Sequence, residues 1–184
     1  METNKFKWTR VQNEIFRFLC IKSGSSVNQR FIAEKLKVSP TAVAKALKSI
    51  SKERLIIYSK DPRMNLTYAE LNRDNEKAIS FKRVENLKMI YESGLLELLN
   101  DKFPGTLIIL FGSYSYGTDI INSDVDIAII GSKKKEINLG EFEKLLGRKI
   151  IVQFYDSLKE IHKNLRNNII NGIILKGVIE LWTR

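Results

Sequence analysis

Two aspartates, Asp124 and Asp126, stand one residue apart where an apolar run, Val125 to Ile130, begins. In a strand the side chains at i and i+2 share a face, so the two carboxylates project together. Their Cα atoms are about 7 Å apart at about 3.3 Å of rise per residue. Val125, Ile127 and Ile129 then take the opposite, core face. Two hard oxygen donors side by side suit Mg²⁺, which keeps several waters and completes its shell from substrate phosphates. Upstream, the apolar stretch Leu107 to Phe111 runs into Gly112-Ser113. A Gly-Ser turn after a strand offers backbone N–H groups, and the N-terminus of a helix, to phosphate.

The pattern is an apolar residue, Gly, Ser, ten residues, then Asp-x-Asp between apolar residues: Phe111-Gly112-Ser113, Tyr114 to Ser123, Asp124-Val125-Asp126-Ile127. It resembles the nucleotidyltransferase superfamily of DNA polymerase beta, in particular its minimal nucleotidyltransferase branch, over about Ile90 to Trp182. The resemblance implies that Gly112, Ser113 and Ser123 bind the nucleotide and that Asp124 and Asp126 bind Mg²⁺ or Mn²⁺. It also implies a nucleoside triphosphate as substrate and transfer of a nucleoside monophosphate to a hydroxyl. Such chemistry is mostly positioning and neutralisation of charge by two divalent ions.

The superfamily uses a third carboxylate on a later strand, next to the attacking hydroxyl. Here that strand is Lys149 to Tyr155. Alternation turns Ile150, Val152 and Phe154 to the core and Ile151, Gln153 and Tyr155 to the site. The third acid should fall at Ile151 or Gln153, and neither is a carboxylate; Asp156 is at the strand's end, on the other face. The family's minimal members also carry an Arg where Tyr116 stands. Whether the chain is an enzyme is therefore left open by its own residues.

These residues need a scaffold. A long helix is expected over Phe81 to Asp101, with Val84, Leu87, Ile90, Leu95 and Leu98 inward, ended by Phe103-Pro104-Gly105. Strand Thr106–Phe111, a short helix near Tyr114–Gly117, strand Val125–Ile130, a helix Leu139–Leu146 and strand Lys149–Tyr155 follow. Ser157 caps a helix Leu158–Asn171 that carries an exposed His162, and Ile173 to Trp182 closes the fold. Lys133-Lys134-Lys135 reads as a solvated loop.

The front of the chain reads differently. Thr9–Lys22 is an amphipathic helix with Val11, Ile15, Phe18 and Leu19 inward. Ser26 caps a helix Val27–Leu36 with Phe31, Ile32 and Leu36 inward. Ser39-Pro40 starts a third helix, with Val43, Leu47 and Ile50 buried. Strands Leu55–Lys60 and Leu66–Leu71 flank a turn at Asp61-Pro62-Arg63. Helix, helix, tight turn, helix, hairpin resembles a winged helix-turn-helix domain over about residues 7–72. In that family the third helix enters the major groove. Thr41, Lys45, Lys48 and Lys52 would then face DNA, with Arg63 on the wing. Lysines without Arg, Asn or Gln predict phosphate contacts more than base reading.

The charge agrees with this division. The chain has 184 residues and a formal net charge of +10. Residues 1–72 hold 14 Lys and Arg against 6 Asp and Glu, and residues 73–184 hold 17 against 15. A basic front suggests a polyanionic partner. With 43% apolar residues the chain can bury a core. No apolar run is long enough for a membrane helix, the first residues lack the apolar stretch of a signal peptide, and the lone Cys20 fits a reducing cytoplasm.

The expected fold is α/β (α+β): a winged helix (1–72), a linker (73–80) and a minimal nucleotidyltransferase domain with a mixed sheet (81–184). The leading reading is a nucleotidyltransferase-like protein that binds Mg²⁺ and a nucleoside triphosphate and docks on DNA. The alternative is a DNA-binding regulator, or an antitoxin-like protein, whose transferase domain is degenerate. The partners expected are DNA, a protein acceptor or toxin, and a second copy of the chain, with no membrane.

Overall fold

The computed structural model describes residues 8–63 and 66–179. The chain divides into two compact units, Met1–Lys82 and Arg83–Arg184. No helix of the described residues is long and apolar enough to cross a membrane.

The first unit holds helices α1 (Arg10–Ile21), α2 (Gln29–Leu36) and α3 (Pro40–Lys52), and strands β1 (Val27–Asn28), β2 (Ile56–Asp61) and β3 (Leu66–Leu71). Thr9 and Gln12 close a capping box on α1. Ser39 caps α3, with Pro40 at the first helical position, where the missing N–H costs nothing. The strands form an antiparallel sheet in the order β1-β3-β2. Three helices and a hairpin in this order make a winged helix. Ile15, Leu19, Cys20, Ile32, Val43, Leu47, Ile50 and Leu55 are buried together in its core.

Two expectations are corrected in this unit. Val27 and Asn28 belong to a short strand paired with Ala69 and Tyr68, and Asn28, not Ser26, caps α2 by accepting the N–H of Arg30. Phe31 is 39% exposed rather than inward, and the Lys35 ammonium lies 5.3 Å from its ring centre.

The division between the units falls within helix α4 (Glu76–Glu92), which crosses the stretch expected to be a linker. The long helix expected over 81–101 is two helices. Gly94, at φ 78°, breaks it, and α5 (Leu95–Lys102) follows. A left-handed φ suits glycine, which has no Cβ to clash with the next carbonyl. Val84, expected inward, is 64% exposed, whereas Ile90 and Leu95 are buried as expected; Lys82, Asn86 and Met89 are buried beside them. The buried stripe of α4 is partly polar, so the hydrophobic pattern missed Lys82 and Asn86 and misplaced Val84.

The second unit continues with β4 (Leu107–Phe111), α6 (Gly112–Tyr116), β5 (Val125–Ile130), α7 (Gly140–Leu146), β6 (Ile150–Tyr155), α8 (Lys163–Ile170) and β7 (Ile173–Lys176). The sheet runs β6-β5-β4-β7, parallel between β5 and β6 and antiparallel elsewhere. The helix expected over 158–171 is a 3₁₀ turn at Leu158–Glu160 and then α8, with Ile161 extended between them and buried. Ser157 makes no side-chain cap. His162 is exposed, as expected. Of the closing segment Ile173–Trp182, residues 180–182 lie outside the described residues. One face of the sheet, with Ile109, Phe111, Ala128 and Ile130, packs on Ile161 and Ile169.

Candidate active site

Strand register brings the motif together. Phe111, the last residue of β4, pairs with Asp126. Gly112, the first residue of α6, therefore lies against that carboxylate. A Cβ on Gly112 would stand 2.6 Å from Asp126 Oδ2, and its φ is +71°. No other residue type fits there without displacing the carboxylate. Asp124 lies just before β5, near enough for its charge to act on Asp126, and is exposed while Asp126 is half-buried.

Asp126 is held above the ordinary carboxylate range, first by burial and then by the charge of Asp124. No hydrogen bond or salt bridge from a described residue reaches either carboxylate. The two carboxylates lie close together, and among the described residues no cation pairs with either of them. That donor set, and the room left by a glycine, fit one divalent cation that keeps part of its water shell.

The two candidate third positions have different neighbours across the sheet. β5 and β6 run parallel, with Asp126 opposite Ile151 and Ala128 opposite Gln153. Ile151 is the side-by-side neighbour of Asp126 and one of the two positions at which the superfamily resemblance implies an acid. Gln153 lies one pair further along, and its Oε1 accepts a 2.5 Å hydrogen bond from Tyr155 Oη. Burial raises the Tyr155 hydroxyl above its ordinary pKa. Among the described residues no third Asp, Glu, His or Cys joins the aspartates in a group that could hold a metal ion.

The other expected contacts are placed as follows. Ser113 is the second residue of α6 and is half-buried; its carbonyl accepts the N–H of Thr118 at 3.1 Å. Ser123 ties the turn before Asp124, its Oγ accepting the Ile120 N–H at 3.0 Å. Tyr116, which stands where an Arg was expected, donates to the Asn171 carbonyl at 3.3 Å. A cleft of about 590 Å³ opens beside Asp124, with Ser123, Glu143, Lys144 and Lys149 among its walls. Another of about 590 Å³, lined by Leu107, Ile130 and Asp156, lies at the opposite ends of β4 and β5 and does not touch the motif.

The sequence pattern missed a buried polar cluster behind the site. Arg148 Nη2 pairs with Asp119 Oδ2 at 3.1 Å, with the side chains 1% and 0% exposed. Asn86 Nδ2 donates to Asp119 Oδ1 at 2.7 Å and to the Tyr114 carbonyl at 2.9 Å. The bonded partners are 28 to 33 positions apart and carry no spacing signal. Removing one partner of such a pair leaves a buried charge and costs about 3–5 kcal/mol.

In the first unit, Thr41, Lys45, Lys48 and Lys52 are exposed along α3, and Arg63 is exposed at the hairpin turn, its N–H bound to Asp61 Oδ1. Spacings of three and four residues put the three lysines on one side of the helix.

Comparison with known proteins assigns the second unit. The nucleotidyltransferase domain family matches residues 92–176, which form a nucleotidyltransferase domain behind a winged helix. The protein adenylyltransferase MntA of Shewanella oneidensis is 45% identical over 47 residues, 25% of this chain and 34% of that protein. The chain thus matches about a third of that relative's length. Among solved structures, the zinc-responsive MarR family member ZitR of Lactococcus lactis is 32% identical at a TM-score of 0.40, over 56% of this chain and 68% of its own. ZitR has also been solved in complex with DNA. AdcR, the adhesin competence repressor of Streptococcus pyogenes, is 26% identical at a TM-score of 0.41, over 53% of this chain and 69% of its own.

Proposed function

We propose that the second unit binds a nucleoside triphosphate with Mg²⁺ at Asp124, Asp126 and the Gly112-Ser113 turn, and transfers a nucleoside monophosphate to a hydroxyl. The observation that carries this reading is the carboxylate pair, Asp124 exposed and Asp126 half-buried, unpaired with any described cation, against a glycine that cannot be replaced without a clash. The identity to a protein adenylyltransferase supports ATP as the nucleotide and a protein hydroxyl as the acceptor. Mg²⁺ would supply charge neutralisation at the phosphates. Gly112 and Ser113 would hold the β- and γ-phosphates through backbone N–H groups, and the aspartates, by holding the cation, would orient the α-phosphate. The acceptor oxygen attacks the α-phosphorus in line, the bond to the β-phosphate oxygen breaks, and pyrophosphate leaves. Ile151 cannot accept the proton of the acceptor, which passes to water. Transfer is accordingly slow, by the 10²–10⁴-fold that general-base help is typically worth, at order of magnitude.

The first unit docks on DNA through Lys45, Lys48 and Lys52, with Thr41 and Arg63 at the edges of the contact. The support is their common exposure, in a segment with 14 basic against 6 acidic residues.

Ile151 favours a second reading, in which the domain binds nucleotide without transferring it and the chain is a DNA-binding regulator. Incubation with α-labelled ATP, Mg²⁺ and lysate separates the two. A labelled protein, lost on Asp124→Asn with Asp126→Asn, supports transfer. Nucleotide binding with no labelled product supports the regulator.

A further inference from the structure

We propose that Asn86, Asp119 and Arg148 are positioning residues for the metal–nucleotide site: a buried bracket that fixes the loop 117–124 between the phosphate-binding turn and the aspartates. The inference rests on the nucleotide-binding reading above.

The connections run to both sides of the site. Asn86, on α4, holds the Tyr114 carbonyl in α6 and Asp119 in the loop. Arg148 holds the same Asp119, and its Nη1 donates to the carbonyls of Ile121 and Gly147, each at 3.2 Å. The carbonyl of the next residue, Lys149, accepts the Val125 N–H at 2.8 Å, directly beside Asp124. Within the loop, the Ser123 N–H donates to the Ile120 carbonyl at 2.9 Å. Asp124 is thereby anchored from both chain directions, and the anchor on one side is tied through Asn86 to the helix that opens with Gly112.

Stability alone is a poor explanation for the cluster. A buried ion pair is often matched or surpassed by well-packed apolar residues of the same volume. Arg148 Nε is moreover buried without a hydrogen-bond partner among the described residues. What the cluster supplies that apolar packing would not is direction: the guanidinium fork reaches three fixed acceptors and the carboxamide two.

The test is the double variant Asp119→Leu with Arg148→Met, which removes both charges and leaves neither buried alone, beside Arg148→Lys, which keeps the charge and loses the fork. Each is compared with wild type in thermal melting, affinity for Mg²⁺–ATP, and hydrogen exchange of the backbone amides. The double variant is expected to melt near wild type, to bind Mg²⁺–ATP at least tenfold more weakly, and to exchange faster at Thr118, Ile120 and Ser123 while β5 keeps its protection. Arg148→Lys is expected to show the same changes, smaller and centred on Ile121 to Ser123. If the double variant does not fold, Arg148→Lys decides by the same readouts. Wild-type affinity together with wild-type exchange in the loop would overturn the bracket, and so would a lower melting temperature as the sole change. If wild type binds no Mg²⁺–ATP, the nucleotide reading fails, and the exchange of the loop still decides whether the bracket holds it.

Discussion

Ile151→Asp restores a carboxylate at the position the register places beside Asp126, and its effects can be worked out in advance. Neighbouring strands lie about 4.8 Å apart, so the new charge sits about 5 Å from Asp126. At an effective dielectric constant of about 20, two like charges at that distance repel by roughly 3 kcal/mol. Asp124 is exposed and Asp126 half-buried, so solvent screening reduces this to about 1–2 kcal/mol. Removing the half-buried isoleucine side chain forfeits its apolar burial, a further cost of about 1 kcal/mol. The free protein should therefore melt some 5–10 °C lower, at order of magnitude. Saturating Mg²⁺–ATP should recover most of that loss, because the cation neutralises the cluster that destabilises the free form. Transfer measured by release of pyrophosphate should rise about 10²–10⁴-fold. Gln153→Asp should not do this, since residue 153 lies opposite Ala128 and is bound to Tyr155. A gain at Gln153→Asp without one at Ile151→Asp would refute the register argument. Brisk turnover by wild type, slowed by Ile151→Asp, would refute the idea that a missing acid limits the site.

Gly112→Ala places a methyl 2.6 Å from Asp126 Oδ2 at φ +71°; it should cost at least about 1–2 kcal/mol in chemical denaturation and weaken Mg²⁺–ATP binding by calorimetry. The raised pKa of Asp126 means its contribution to stability is complete below the ordinary value of 3.8 and is lost as pH rises through the folded-state value. Asp126→Asn should thus raise the melting temperature of the metal-free protein at pH 7 by on the order of a degree or two and leave it unchanged at pH 3; Mg²⁺ affinity of the wild type should fall as pH drops through that same raised value. Changing Lys45, Lys48, Lys52 and Arg63 together to Ala should reduce the salt slope of log K for duplex DNA by about 3.6 in magnitude, read by fluorescence anisotropy, with nucleotide binding intact.

Much of this was legible because the informative signals are local. Ser39-Pro40 announces α3 through cap chemistry, and the apolar runs at 107–111 and 125–130 announce two central strands. The pairing of Gly112-Ser113 with Asp124 and Asp126 is a spacing over a dozen residues. What was missed depends on partners distant in sequence. The two-residue strand Val27–Asn28 exists through its pairing with Ala69 and Tyr68, and no strand of two residues has a period to read. Val84 looked like a core residue because it fits a helical repeat with Leu87 and Ile90, but α4 buries Asn86, whose partners Tyr114 and Asp119 lie about 30 positions away. Alternation alone left Ile151 and Gln153 equivalent; the inter-strand register with Asp126 separated them.

The central claim is that Asp124 and Asp126 hold a metal–nucleotide complex, and thermal melting with and without Mg²⁺–ATP tests it most directly. At about 100-fold excess of ligand over Kd, wild type should gain about 2.7 kcal/mol. For a chain of this length that corresponds to a rise of about 5–10 °C. The variant Asp124→Asn with Asp126→Asn should fold and show no rise. A wild-type melting curve unmoved by Mg²⁺ or Mn²⁺ with any of the four common nucleoside triphosphates, or an equal rise in the double variant, would contradict the account.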